Sequence, residues 1–111
     1  MTRIATLAVR ITRFVDDYPP GFVECSLLDA QGRLHLFVEK APVVSTENLW
    51  SDSVYPRDGT IDCEVQAEWV DEAGRRLVRV DTERPWVVES TDGLTQFVVL
   101  ASQVDRRAAS D

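Results

Sequence analysis

The chain has 111 residues, 44% of them hydrophobic and 28% charged, which supplies one core and leaves no room for a second. Five glycines and five prolines exclude a collagen-like or low-complexity chain, and the longest run of large apolar residues, Phe97 to Leu100, is far too short for a membrane-spanning helix. The net charge of −7 is concentrated: residues 16–74 carry thirteen acids against three bases, an arrangement that repels a phosphate backbone and attracts a basic protein.

Period-two alternation runs through most of the chain and predicts strands. Residues 4–15 alternate Leu7, Val9 and Ile11 against Ala8, Arg10 and Thr12, long enough to require a bend or bulge. Asp16-Asp17-Tyr18-Pro19-Pro20-Gly21 stops that strand. Residues 22–28 put Val23, Cys25 and Leu27 on one face. Residues 33–40 put Leu34, Leu36 and Val38 on one face and leave His35 on the half-exposed one. Between them, Asp29-Ala30-Gln31-Gly32-Arg33 reads as a type I turn closed by a left-handed glycine.

Residues 41–59 are long for a connection. Ser45 or Thr46 is expected to cap a short helical turn there, with Glu47 in its first turn and Pro56 and Gly59 preventing its extension. Strand 60–70 alternates Ile61, Cys63, Val65, Ala67 and Trp69 with Asp62, Glu64, Gln66 and Glu68. Asp71-Glu72-Ala73-Gly74-Arg75 then repeats the earlier turn signature and leads to strand 76–82. Burial predicts the pairs Trp69 with Val78, Ala67 with Val80, Glu68 with Arg79 and Val70 with Leu77; a three-residue loop would instead set Ala67 against Arg79. A third hairpin is expected to turn at Ser90-Thr91-Asp92-Gly93, between strands 86–89 and 94–102, with Pro85 just before the former. Trp69 and Trp86, on alternating segments, are expected in the core.

The fold class that follows is all-β: a single small antiparallel barrel or sandwich of about seven strands, with three hairpins and one long connection. The domain is expected to span 1–104, with 105–111 as a flexible tail. The order of long strand, hairpin, helical connection and hairpin is similar to that of an OB-like barrel, though the last hairpin exceeds that plan.

No catalytic constellation stands out, and the chain is read as non-enzymatic. His35 is the single histidine, and no nucleophile elbow or phosphate-cradling glycine loop is present. Acid pairs such as Asp16 with Asp17 or Asp81 with Glu83 are expected by chance among nineteen acids. Cys25 and Cys63 lie on the apolar register and read as buried hydrophobes; with His35 they would still lack a fourth metal ligand, so no metal or cofactor is assigned.

The function expected is that of a cytoplasmic protein-binding module, of the acidic inhibitor or immunity type that neutralises a basic partner. The absence of an evident secretory signal and the few cysteines carry the location. Candidate contact residues are Tyr18, Trp50 and Tyr55 on connections, and the carboxylate row Asp62, Glu64 and Glu68 at alternate strand positions. An open strand edge could also pair with a second copy. The alternative is an OB-like oligonucleotide binder using Arg75, Arg76, Arg79 and Arg84, which the acidic middle disfavours. A small enzyme with an unrecognised site is the remote alternative.

Overall fold

The computed structural model describes residues 3–106. Its elements are β1 (Ile4–Asp16), β2 (Phe22–Leu28), β3 (Leu34–Lys40), the single helical turn α1 (Ala41–Val44), β4 (Arg57–Val70), β5 (Arg76–Asp81), β6 (Gln96–Leu100), a 3-10 turn (Ala101–Gln103) and β7 (Val104–Asp105). All pairings are antiparallel. The sheet order is β3-β2-β1-β4-β5-β6, with β7 added beside β1.

The sheet curls until its two ends meet. The Ala30 N–H donates to the Val98 carbonyl at 2.9 Å and the Thr91 N–H donates to the Leu36 carbonyl at 2.8 Å. The Phe97 ring of β6 lies edge-on to His35 and Phe37 of β3, with centroids 4.8 and 5.6 Å apart. The result is a nearly closed all-β domain of seven strands around one core, built on Leu7, Ile11, Val23, Cys25, Leu27, Phe37, Ile61, Cys63, Val65, Val80 and Val99. β1 bends as its length requires, with register shifts against β2 between Ile11 and Arg13 and between Phe14 and Asp16.

The two Asp-x-x-Gly-Arg segments fold into the same turn. In each, the aspartate N–H donates to the arginine carbonyl (2.9 Å for Asp29, 3.0 Å for Asp71) and the glycine N–H donates back to the aspartate carbonyl at 3.0 Å. Gly32 and Gly74 take φ of 83° and 82°, a left-handed conformation that favours glycine. In each, one carboxylate oxygen accepts two further backbone N–H groups, of Gln31 and Arg33 or of Ala73 and Arg75. The turns also touch: Arg75 donates through Nη1 to the Ala30 carbonyl at 2.8 Å.

Six expectations are corrected. In β3 the faces are exchanged: His35 and Phe37 are buried, while Leu34 and Val38 are exposed and Leu36 is half-buried. The turn sets Leu27 opposite His35 and Cys25 opposite Phe37, so these share the core face, and Asp29 makes the imidazole's burial tolerable by accepting its N–H.

In the β4–β5 hairpin the turn's own geometry sets the register. Trp69 pairs with Leu77, Glu68 with Val78 and Ala67 with Arg79. A bulge between Val65 and Ala67 absorbs the mismatch, so Val65 still meets Val80 in the core and Arg79 stays exposed. Past that bulge Trp69 is 39% exposed.

The helical turn precedes Ser45 instead of following it. Pro42 pre-sets its first residues, Ser45 ends it, and the Ser45 hydroxyl accepts the Glu47 N–H at 3.1 Å in the bend beyond. Residues 86–89 form no strand, because Thr82 takes both backbone groups of Val88: its carbonyl accepts the Val88 N–H, and its hydroxyl donates to the Val88 carbonyl at 2.5 Å. The turn at Ser90–Gly93 does form. Trp86 therefore lies outside the core, 65% exposed, beside Val87 in a left-handed conformation (φ 56°). Of the expected tail, residues 107–111 lie outside the described residues.

Candidate protein-recognition groove

A groove of about 820 Å³ opens between the β1–β2 connection and the 45–56 segment. Phe14, Pro19, Pro20, Gly21, Leu49 and Trp50 form its apolar lining, and Asp17 and Asp52 add carboxylates. Both walls are held from below. The Gly21 N–H closes the Tyr18–Gly21 turn on the Tyr18 carbonyl at 2.8 Å, and the Gly21 carbonyl accepts the Ala41 N–H at 2.8 Å.

Trp50 is an exposed aromatic whose backbone is held by three hydrogen bonds. Its N–H donates to the Ser53 hydroxyl at 2.9 Å, and its carbonyl accepts the Tyr55 hydroxyl at 2.7 Å and the Ser53 N–H at 3.1 Å. Leu49 before it is buried in the core, and Tyr55 packs partly against it. The indole nevertheless remains 64% exposed. A fixed backbone beneath an exposed tryptophan is a partly preorganised contact, because less backbone freedom remains to be lost on binding.

Three arginines of β1 and β4 are already matched. Arg10 pairs with Asp58 at 2.6 Å, Arg13 with Glu24 at 3.1 Å and Arg57 with Glu47 at 3.1 Å. Asp17 and Asp52 have no ion pair among the described residues, so the groove keeps a net negative charge beside an indole face.

The sequence candidates divide. Trp50 lines this groove and Tyr55 supports it, whereas Tyr18, 71% exposed between the lining residues Asp17 and Pro19, is not itself part of the lining. Asp62, Glu64 and Glu68 do not form one row, because the bulge moves Glu68 to the other face of β4. Asp62 accepts the Trp86 indole N–H at 2.8 Å. Glu68 pairs with Arg106 at 2.5 Å and Arg3 at 3.6 Å.

The arginines do not form one strip either. Arg75 is committed to Asp71 and Ala30, Arg76 shares the core-side face of β5 with Val78, Arg79 lies on the outer face, and Arg84 stands in the 82–95 connection. Burial pushes the thiols of Cys25 and Cys63 up to about 12, with nearby carboxylates adding to it, so both are poor nucleophiles. Among the described residues no three His, Cys, Asp or Glu side chains stand close enough to hold a metal ion. Sequence reasoning missed Asp17 and Asp52 as site residues; the Pro19-Pro20 pair beside Tyr18 was the available signal. Comparison with family models, curated proteins and solved structures returns no match, so the site is read from its own geometry.

Proposed function

We propose that this domain is a non-enzymatic protein-recognition module whose partner presents a lysine or arginine side chain to the Trp50 groove. The observation that carries the reading is the exposed indole on a hydrogen-bonded backbone, beside two carboxylates that have no ion pair among the described residues. A cation over an indole face gains about 0.5–1 kcal/mol at an exposed site and more when water is excluded. The net charge of −7 favours encounter with a basic protein. The finer form of the reading is an acidic inhibitor of the immunity type, acting in the cytoplasm, that occupies a cationic surface of its partner.

Affinity capture from host lysate with the wild type, Trp50→Ala and the double variant Asp17→Asn/Asp52→Asn tests it. One enriched basic protein, reduced at least tenfold in both variants, is the expected result. Capture that survives both variants would sink the groove as the contact. Charge reversal at Glu64 then distinguishes contact through the outer acidic face of β4.

A further inference from the structure

A second concavity lies at the other end of β1. It is an open cleft of about 680 Å³ lined by Glu68, Arg76, Val78, Leu100, Ala101, Ser102, Val104 and Arg106. Its lining is apolar except for the Ser102 hydroxyl, one carboxylate and two guanidinium groups. Arg3 reaches the same carboxylate, so three guanidinium groups converge on Glu68. Among the described residues that line the cleft or reach Glu68, three guanidinium groups face this carboxylate, a local basic cluster on an acidic molecule.

The arginines are under-used. Arg3 and Arg106 both reach the same carboxylate oxygen, Oε2 of Glu68, at 3.6 and 2.5 Å. Arg76 feels Glu68 only through its charge and has no hydrogen bond or ion pair among the described residues. Each guanidinium carries five donors in a fork that matches a carboxylate. The β4 bulge is what brings Glu68 here. In an unbroken ladder Glu68 would share a face with Asp62 and Glu64; the bulge pairs it with Val78 and turns it into the cleft. Bulges recur beside binding sites because they re-aim one side chain in this way.

From this arrangement we infer that the cleft binds a small organic anion, a carboxylate attached to a short apolar body, with Glu68 holding the arginines in place until the ligand carboxylate takes them over. Arg76 and Arg106 grip the carboxylate, and Val78, Leu100 and Val104 receive the apolar part. The volume is within the range of small-molecule sites, about 300–1,000 Å³. An apolar lining distinguishes this ligand from inorganic phosphate, which would leave it empty. The proposal stands apart from the Trp50 groove, since no residue lines both.

Octanoate is the probe, followed by backbone amide shifts of the full chain. Amides of Val78 and of residues 100–104 should move, and acetate should bind at least tenfold more weakly. Arg76→Ala/Arg106→Ala should weaken octanoate at least tenfold. Glu68→Gln removes the competing carboxylate and should tighten binding several-fold, the opposite of what loss of a merely structural ion pair would do. No shifts at millimolar octanoate in both wild type and Glu68→Gln would overturn the assignment. So would acetate or phosphate binding as tightly as octanoate, or weaker binding by Glu68→Gln.

Discussion

Asp29 organises three neighbours with one carboxylate. One oxygen accepts the N–H groups of Gln31 and Arg33, both at 2.9 Å, and the other accepts the Nε2–H of buried His35 at 2.8 Å. Burial works against its ionised form, but the His35 ring and the two backbone N–H groups outweigh that and hold the carboxyl below the usual aspartate range. Its stabilising contribution is therefore complete above the unfolded value near ~4 and is lost as pH falls through the lower folded value. Asp29→Asn should cost about 1–3 kcal/mol at neutral pH, the scale for a hydrogen bond to a charged group. Urea unfolding at pH 7 and pH 3 checks the sign: the gap from wild type should narrow at the lower pH. An equal gap at both would show that ionisation of Asp29 plays no part.

At the scale of elements, the turns and most faces were legible in the sequence. Val23, Cys25 and Leu27, like Leu7, Val9 and Ile11, are buried as their alternation requires. The two misassigned strand registers share one cause: the turn before each strand, as well as its alternation, sets which face it buries. In β3 the turn made that choice, and a histidine with a carboxylate partner entered the core in place of three aliphatic residues. In β4 the turn again fixed the pairing, and a single bulged residue reconciled it with burial. Neither a bulge nor a side-chain partner leaves a periodic mark. The groove was half legible for the same reason. Trp50 and Tyr18 are visible as aromatics on connections, but Asp17 and Asp52 become neighbours only when the 45–56 segment folds against the β1–β2 turn.

Gly59 provides a test of how tightly β4 approaches its neighbours. A Cβ there would fall 2.7 Å from Ile11 Cγ1 and 2.9 Å from the Val44 carbonyl oxygen. The oxygen belongs to backbone and cannot swing aside. Gly59→Ala should destabilise the fold by about 1–3 kcal/mol, as overpacking does. A thermal melt with an unchanged midpoint would show that α1 is free to shift.

On the scale of the whole molecule, closure is uneven. The β1–β4 and β2–β3 ladders are continuous, whereas the seam between β3 and β6 relies on the Ala30–Val98 and Thr91–Leu36 hydrogen bonds and the Phe97 ring contacts. Regions with few hydrogen bonds open at lower free energy than ladder centres. Native-state hydrogen exchange should therefore find the amides of Ala30 and Thr91 less protected than those of Leu7 and Ile11. Equal protection would mean that the domain opens only as a unit. With the cleft and the groove at opposite ends of β1, the two sites can be occupied together.

β1 also sets a timetable for synthesis. It is the first of this domain's strands in chain order, and its second half pairs with the next one, β2, through pairs such as Phe14 with Val23. Its first half must wait for residues 60–64 of β4, through pairs such as Ala5 with Cys63 and Leu7 with Ile61, and then for Val104 and Asp105 on its other side. Until those are translated, Ala5 and Leu7 stand on a strand with both edges open. A nascent chain in that condition offers a binding surface to chaperones and to its own neighbours on a polysome. The strand that anchors the finished barrel is thus the last to be fully enclosed.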